Sequence, residues 1–335
     1  MSSFLSNPYK QTISLCPECY RRIPAWIHLT DQGVMMQKIC CDHGATGAMV
    51  ERDVDFYLKC AQSNAPTIYA GYFIDVTRKC NLQCKYCYYP TDNKLQDRSI
   101  VSIVQEAILH QPMAPFILTG GEPTLRNDLP EIIETLRPIG TTTLLTNGTG
   151  ICEDLLDKII PMNSCGDVSH VHVSYHPEIN ADNLRVFELF RERKLKIDSV
   201  LFVIDDINQI DDVLTVCDEW KDIISATRIK AATRVWNDNK SDKKIFVSDM
   251  LKVFKYFGAK VVWWGNNKVS FVTVELNGMQ HMLVSWYDVN NIDMIDINCA
   301  PYYQAMTGET MNFLTAMLIN EGLEKGWMNG KKIKE

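Results

Sequence analysis

The fold and the chemistry of this chain are both indicated by residues 69–89, YAGYFIDVTRKCNLQCKYCYY. Residues 69–76 are rich in aromatic and β-branched side chains, a composition that favours a β-strand. Cys80, Cys84 and Cys87 follow the predicted strand at close spacing. Because four thiolates normally enclose a [4Fe–4S] cluster, three leave one iron without a protein ligand. The segment therefore predicts an open metal centre at the end of a strand, with a zinc knuckle or unligated thiols as the alternative.

Beyond this segment the chain alternates between strand-like and helix-like patterns up to about residue 235. Six strands are predicted, at 69–76, 115–119, 141–146, 170–175, 197–204 and 226–230. Five helices are predicted between them, at 99–111, 128–138, 152–161, 181–194 and 210–223. Repeated strand–helix units make the strands parallel, in a sheet that is either open and doubly wound or curled toward a barrel. Too few residues remain for an eight-unit barrel, so we predict an α/β fold with a partial (βα)6 TIM-type barrel.

A second group of metal-binding residue types lies near the start of the chain. Cys16 and Cys19 form a C-x2-C pair, and Cys40 and His43 form a C-x2-H pair about twenty residues later. Two such pairs complete a tetrahedral Cys3His site, which suits Zn²⁺ or a mononuclear, rubredoxin-like iron. Four ligands leave no open position on the metal, so the predicted role is structural. Cys41 is an alternative third sulfur ligand, and unligated cysteines are the alternative to a metal site.

Changes in composition along the chain predict three domains. Residues 1–66 form the small N-terminal zinc or rubredoxin-like metal unit, and residues 67–235 form the partial barrel. Residues 236–335 form a C-terminal α+β extension that is rich in tryptophan, tyrosine and methionine. We expect the extension to cover the barrel opening, where apolar side chains exclude water from a reactive site. An added hydrophobic layer over the sheet is an interpretation compatible with the same residues.

Composition excludes several classes of function. The chain of 335 residues is 46% apolar and carries a formal net charge of −7, which disfavours a general nucleic-acid-binding protein. No apolar run reaches the roughly 18 residues of a membrane-spanning helix, so no transmembrane segment is expected. The first ten residues, MSSFLSNPYK, lack the features of a secretory signal. We therefore expect a cytoplasmic protein in a reducing, oxygen-poor setting, where metal sites account for closely spaced cysteines better than disulfides do.

The cysteine motif resembles that of a known enzyme superfamily. With Tyr86 directly before its last cysteine, the C-x3-C-x2-C motif of Cys80, Cys84 and Cys87 is similar to that of the radical S-adenosylmethionine (SAM) enzymes, and the resemblance covers about residues 69–235. It implies a [4Fe–4S] cluster, SAM bound at the open iron, and a reducing partner such as flavodoxin or ferredoxin. It also implies reductive cleavage of SAM to a 5′-deoxyadenosyl radical, which abstracts hydrogen from an unactivated C–H bond.

The same resemblance implies cofactor-binding residues at the ends of the next three strands. In the superfamily a Gly-Gly-Glu segment binds the amino group of SAM, and a serine on the fourth strand often contacts its carboxylate. The corresponding candidates in this sequence are Thr119, Gly120, Gly121, Glu122, Thr146, Asn147 and Ser174. Strand alternation places His172 on the same face as Ser174, so His172 either contacts substrate and transfers a proton or is a core histidine.

The N-terminal cysteine pattern resembles one subgroup of the superfamily, which includes archaeal tetraether-lipid synthases and pterin methylases. The subgroup pattern ends in CPEHG, whereas residues 40–44 read CCDHG. The resemblance covers about residues 14–160. Larger relatives carry further cysteines for auxiliary clusters, whereas here the later cysteines are scattered at Cys152, Cys165, Cys217 and Cys299. We therefore expect a single [4Fe–4S] cluster, which puts the relatives' methylation and lipid-coupling routes in doubt.

The sequence leaves the substrate unidentified, as a small or lipid-like molecule. Cys299 is a candidate hydrogen donor to a substrate radical, which would make the protein an epimerase or isomerase, although a buried structural cysteine is the commoner case. Lys230 and Arg234, near the end of the sixth strand, are candidates for binding an anionic substrate or are solvated. The alternative from a different class is a non-catalytic iron–sulfur or zinc protein that transfers electrons or docks partners.

Overall fold

The structure is a computed structural model that describes residues 7–19, 21–63, 72–84, 87, 91–109, 115–160, 168–232, 244–265 and 271–284, and the backbone of 327–328 and 331–332. At 168–170 and 271, too, it describes the backbone only. Among the described residues, none of the helices has both the length and the apolar character needed to cross a bilayer.

The N-terminal unit is a four-stranded antiparallel sheet followed by one helix. Its strands are β1 Lys10–Leu15, β2 Arg22–Thr30, β3 Gly33–Cys40 and β4 Gly44–Glu51, paired in chain order. Helix α1 spans Val54–Gln62, and the Asp53 side chain caps it by accepting a hydrogen bond from the Phe56 N–H. Alternate residues of β2 and β3 are buried, and four of them form a small core: Ala25, Ile27, Val34 and Met36.

The main sheet contains nine strands and carries the predicted strand–helix repeats. Its strands are β5 Tyr72–Thr77, β6 Phe116–Gly120, β7 Thr142–Thr146, β8 Val168–Tyr175, β9 Ser199–Ile204, β10 Ala226–Ala231, β11 Lys260–Trp264, β12 Phe271–Leu276 and β13 Met279–Val284. The helices are α2 Ile100–Leu109, α3 Leu129–Leu136, α4 Glu153–Ile159, α5 Asn180–Glu192, α6 Gln209–Glu219 and α7 Val247–Tyr256. Strands β5 to β10 lie side by side in chain order and are all parallel, so the predicted α/β class and its run of six strands are confirmed.

The described part of the C-terminal extension widens this sheet. Strand β13 pairs in parallel with β10, and β12 and β11 continue the sheet in antiparallel orientation. A further antiparallel pair, β14 Trp327–Met328 and β15 Lys331–Lys332, forms a separate two-stranded sheet. The predicted domain boundaries at 66 and 235 stay predictions, as does the covering of the barrel opening.

One face of the main sheet packs against the helices and forms the principal core. Helix α3 shows how the sequence produces this layer, since its apolar residues recur at helical spacing and are buried: Leu129, Ile132, Ile133 and Leu136. The strands contribute alternate residues to the same core, among them Ile74, Leu118, Leu144 and Val173. The intervening strand residues face the other side of the sheet, which is the side available to a ligand.

The N-terminal unit contacts α7 and β11 of the extension. The Ser248 hydroxyl donates to the Glu51 carboxylate at 2.6 Å, and Lys244 Nζ donates to the Met49 carbonyl at 2.7 Å. Phe56 lies with its ring centroid 6.0 Å from that of Trp264. Burial raises the pKa of the Glu51 carboxyl, while the hydrogen bonds from Ser248 and the neighbouring backbone oppose the rise.

Candidate functional site

The cysteine loop begins directly after β5, at the carboxyl end of the parallel sheet. Cys80, Cys84 and Cys87 are all partly exposed. The loop is fixed by backbone hydrogen bonds, because the Cys80 N–H donates to Asn93 Oδ1 at 2.9 Å and the Cys87 N–H donates to the Cys84 carbonyl at 3.0 Å. Ligands of parallel α/β sheets bind at this edge. Tyr86, the predicted aromatic neighbour of the last cysteine, lies outside the described residues.

Two glycines bring the end of β6 into backbone contact with the start of this loop. The Gly121 N–H donates to the Thr77 carbonyl at 2.8 Å, and the Glu122 N–H donates to the Lys79 carbonyl at 2.7 Å. A Cβ atom at Gly120, where φ is +132°, would lie 2.0 Å from the Thr77 oxygen, and one at Gly121 would lie 2.1 Å from the Lys79 oxygen. The pair is therefore needed for packing against the residues that precede Cys80, a role that the sequence pattern alone does not reveal.

The Glu122 carboxylate is directed into the protein, where it joins the ends of β6 and β7. One oxygen accepts hydrogen bonds from the Thr124 N–H, the Thr124 hydroxyl and the Thr146 hydroxyl, and the other accepts from the Asn147 N–H at 2.6 Å. Glu122 is only 1% exposed. Burial raises the pKa of this carboxyl, and these four donors oppose the rise. Glu122 and Thr146, both predicted as cofactor-binding residues, are thus engaged with each other inside the fold.

Asn147 connects the same strand end to the cysteine loop itself. Its Nδ2 donates to Asn81 Oδ1 at 3.0 Å, and Asn81 Nδ2 donates to the Thr149 hydroxyl at 2.8 Å. Asn81 lies between the first two cysteines, so these bonds hold the loop against the end of β7. Sequence reasoning missed Asn81, for which the available signal was its place inside the motif.

Ser174 and His172 lie on the face of β8 that is turned away from the helices. Val171 and Val173 belong to the principal core, whereas His172 and Ser174 are partly exposed. The side chain of His170 is outside the description. Ser174 is in register with Leu201 of β9, and Leu201 is in register with Arg228 of β10. The structure therefore places both predicted residues on the ligand side of the sheet.

A residue that the sequence pattern indicates only weakly lies nearest to the cysteine loop. His176, just beyond β8, places Nδ1 3.5 Å from Cys84 Sγ and is 6% exposed. Asn183 Nδ2 donates to the His176 carbonyl at 2.7 Å and fixes its backbone. Burial lowers the pKa of the imidazole, and nearby Glu178 opposes that shift. Cys84, His176 and Glu178 form one of the two groups of potential metal ligands among the described residues.

The three thiols of the loop suit an iron–sulfur cluster. Burial is the main cause that raises the pKa of Cys84 to about 12, and the neighbouring Cys87, Glu178 and Cys80 add smaller effects in the same direction. Burial also raises the pKa of Cys80. Three soft, partly buried sulfur ligands on one loop match the donor set of a cluster, and coordination by iron would replace the protons.

The second group of potential ligands is the predicted N-terminal set. Because the four strands run antiparallel in chain order, the β1–β2 and β3–β4 turns emerge at the same end of the sheet. Cys16 and Cys19 lie in the first turn, Cys40 ends β3 and His43 lies in the second turn. The four ligand atoms all lie within 4.8 Å of one another.

The spacing of these atoms fits a tetrahedral metal site. Cys19 Sγ and Cys40 Sγ are 3.8 Å apart, and His43 Nδ1 lies 3.4 Å from Cys40 Sγ and 3.6 Å from Cys16 Sγ. A tetrahedron with bonds of about 2.1–2.3 Å has edges of about 3.4–3.8 Å. The residues present therefore fit a four-coordinate ion. The third sulfur of this group belongs to Cys40, whereas Cys41 is exposed.

Neighbouring groups favour the thiolate form of Cys19 and Cys40, whose pKa values are lowered, whereas burial raises the pKa of Cys16. The hydrogen bond with His43 lowers the pKa of Cys40 to about 6, against the effect of burial. Arg21 Nε donates to Cys19 Sγ at 3.4 Å, and Arg21 also pairs with Asp42.

The other described cysteines lie apart from both sets. Burial raises the pKa of Cys60 and of Cys217 to about 12, and Cys152 is exposed ahead of α4. Cys299 and Arg234 lie outside the described residues, so their predicted roles stay predictions.

Two family models match the chain at the two cysteine-rich regions. Residues 8–52 match the model described as the HMPTM N-terminal zinc ribbon domain, and residues 74–177 match the model of the radical SAM superfamily. The first match contains all four ligands of the N-terminal set. The second contains the cysteine loop, the ends of β6 and β7, and His176.

Individual relatives match parts of the chain. The 7,8-dihydro-6-hydroxymethylpterin dimethyltransferase of Methanocaldococcus jannaschii is 33% identical over 174 residues, 42% of this chain and 34% of that protein. A protein of Archaeoglobus fulgidus named "Probable GTP 3′,8-cyclase" is 38% identical over 105 residues, 30% of this chain and 33% of that protein. The chain thus spans about a third of the length of these two relatives. The crystal structure of Streptococcus suis SuiB bound to precursor peptide SuiA aligns with a TM-score of 0.46 at 13% identity, over 73% of this chain and 69% of that chain.

Proposed function

We propose that this chain is a radical SAM enzyme that cleaves SAM reductively and abstracts hydrogen from an unactivated C–H bond, and the match of residues 74–177 to the superfamily model supports this proposal. The observation that carries the proposal is the cysteine loop, held at the carboxyl edge of the sheet by backbone bonds from Gly121 and Glu122 and by the Asn81–Asn147 contact.

Cys80, Cys84 and Cys87 would hold a [4Fe–4S] cluster, and SAM would bind beside it at the ends of β6, β7 and β8. The bound cluster and SAM together supply a 5′-deoxyadenosyl radical, and this chemistry is the cofactors' own. The protein binds and orients the reactants. The proposed contacts of SAM remain Thr119, Gly120, Gly121, Asn147 and Ser174. Glu122 and Thr146 support these residues from inside the fold, where the Thr146 hydroxyl donates to the Glu122 carboxylate at 2.7 Å.

The N-terminal set is proposed to hold a structural Zn²⁺, with a mononuclear iron as the alternative ion. All four positions of a tetrahedron are supplied by Cys16, Cys19, Cys40 and His43, so the ion has no place for a substrate. Its role is to hold together the end of a small sheet, at which Cys16 and Cys40 cluster with Ile23.

The substrate is proposed to be a small or lipid-like molecule, and the electron donor a flavodoxin or ferredoxin. A pterin-like ring is one member of this class, because a relative that is 33% identical over 174 residues is named as a pterin dimethyltransferase. A single cluster is proposed. The described cysteines after the loop, Cys152 and Cys217, occupy separate exposed and buried positions.

The test is SAM cleavage by the anaerobically reconstituted protein with dithionite. We expect 5′-deoxyadenosine to form in the wild type, and we expect none in the Cys84→Ala variant. A wild-type protein that carries a cluster and reduces it without forming 5′-deoxyadenosine would instead be an electron-transfer protein, and the proposal would fail.

A further inference from the structure

We infer that Arg228 and Lys230 form a binding site for a phosphate group of the substrate. The inference rests on the proposed function, because it places this group beside the SAM site. Both residues lie on β10, two positions apart, so their side chains project from the same face of the sheet.

Strand register identifies that face as the ligand side. Ile229, between the two cations, is fully buried in the core beneath the helices, so its neighbours in sequence face the other way. Arg228 is aligned with Leu201 of β9, which is aligned with Ser174 of β8. Ser174 and Arg228 therefore share a row with one strand between them, which corresponds to about 10 Å between their backbones. A molecule of ordinary metabolite size reaches from one to the other.

The side chains around Arg228 and Lys230 favour binding of an anion. Lys230 is only 3% exposed and is aligned with Val203 on one side and Val284 on the other. Arg228 is flanked in the same way by Leu201 and Met282. Apolar neighbours lower the local dielectric, which strengthens the attraction between a cation and a bound anion. Both side chains also interact within the protein.

The pairing of residue types favours phosphate over a single carboxylate. A guanidinium presents a planar fork of N–H donors that matches two phosphate oxygens, and an ammonium adds a compact charge that suits a third. The two residues lie on the face of the sheet that also carries Ser174. The rest of the substrate would then extend across β9 toward β8, with its reactive carbon nearer the cysteine loop.

The test is calorimetric binding of inorganic pyrophosphate to the anaerobically reconstituted protein with SAM present at saturation. We expect pyrophosphate to bind the wild type and to bind Arg228→Met and Lys230→Met about tenfold or more weakly, the effect of losing a charge-assisted hydrogen bond. Methionine suits both positions, because it is an unbranched apolar side chain that keeps much of the bulk of the residue it replaces and removes only the charged group. The control is Lys221→Met, which removes an exposed lysine that pairs with Asp218 at 2.9 Å.

Iron and zinc contents of each variant report correct folding. Equal pyrophosphate affinity in the wild type and both variants would overturn the site. The phosphate site would also be overturned if the wild type bound the dicarboxylate succinate but not pyrophosphate, or if it bound neither anion. The same wild-type sample is assayed for 5′-deoxyadenosine with dithionite. If the protein cleaves SAM but does not bind pyrophosphate, only the phosphate site is overturned. If it binds pyrophosphate but does not cleave SAM, only the proposed function is overturned.

Discussion

The two cysteine-rich regions of this chain are constructed in opposite ways. In the N-terminal unit, two turns of an antiparallel sheet converge, and four ligand atoms from both turns lie within 4.8 Å of one another. In the α/β domain, all three cysteines come from one loop after β5, and the ends of β6 and β7 hold that loop through backbone and asparagine contacts. The first arrangement encloses an ion, whereas the second presents sulfur ligands from one side only.

The difference teaches where each site obtains its rigidity. The N-terminal site is expected to depend on its ligands, because the sheet around it has a small core and the proposed ion would join its two turns. The loop depends on its supports, because Gly120, Gly121 and Asn147 fix the backbone before any cofactor binds. Loss of one ligand is therefore expected to have different consequences at the two proposed metal sites.

The largest expected effect is the loss of a cysteine from the loop. Cys84→Ala should reduce 5′-deoxyadenosine formation to background and remove most iron, because two thiolates do not retain the cluster. Iron content, visible absorption and product formation measure this. Cys152→Ala removes an exposed cysteine outside both sites and serves as the control. Full iron content in Cys84→Ala would show that the loop is not the cluster site.

Loss of a ligand from the N-terminal set should affect folding of that unit and spare the cluster. Cys40→Ser should release the bound metal and make residues 8–52 sensitive to protease. Structural zinc contributes about 10–16 kcal/mol of binding free energy in small zinc domains, so the unit should lose several kcal/mol of stability. Iron content should stay near the wild-type value.

Cys41→Ser is the matched control for this experiment, because Cys41 is the adjacent cysteine and is exposed. It should keep its zinc and its resistance to protease. Zinc retention in Cys40→Ser together with zinc loss in Cys41→Ser would reverse the ligand assignment. Loss of iron along with zinc would show that the two sites are not independent.

Local sequence patterns predicted most of the α/β core, because periodicity reports which faces of a segment are buried. The helix predicted at 152–161 appears as α4 Glu153–Ile159, and the strand predicted at 226–230 appears as β10 Ala226–Ala231. The parallel pairing of β13 with β10 was beyond reach, since no local pattern specifies the partner of a strand that is more than 50 residues away.

Sequence motifs located residues of the candidate site, but they did not predict the directions of the side chains. The Gly-Gly-Glu segment was located from sequence, whereas the direction of the Glu122 carboxylate depends on Thr146 and on the Asn147 N–H of another strand. The contact of His176 with Cys84 depends likewise on two segments that are 92 residues apart. Such pairs are consequences of packing, and they become visible only when the strands are assembled.

Substitution of Glu122 tests whether its carboxylate supports the loop or binds SAM directly. Glu122→Gln replaces one carboxylate oxygen with an NH2 group, which cannot accept a hydrogen bond, so either the Asn147 N–H or the Thr124 N–H loses its acceptor. We expect the free energy of unfolding of the α/β domain to fall by about 1–3 kcal/mol, the cost of leaving a buried donor unsatisfied. SAM affinity, measured by calorimetry, should change less than it does in a direct contact residue such as Ser174→Ala. Glu131→Gln, on the exposed side of α3, controls for the loss of a carboxylate.

The smallest expected effect concerns His176, whose Nδ1 lies 3.5 Å from Cys84 Sγ. A donor beside a cluster sulfur stabilises the reduced state, because reduction adds negative charge to the sulfurs. His176→Phe should therefore lower the midpoint potential, by ~40 mV if the bond contributes about 1 kcal/mol. An anaerobic redox titration followed by electron paramagnetic resonance measures the shift. His176→Gln keeps an N–H donor and should restore most of the potential. Equal midpoint potentials in the wild type and both variants would show that His176 does not donate a hydrogen bond to the cluster. If SAM changed the spectrum of both variants but not that of the wild type, His176 would be a fourth ligand that occupies the iron site proposed for SAM.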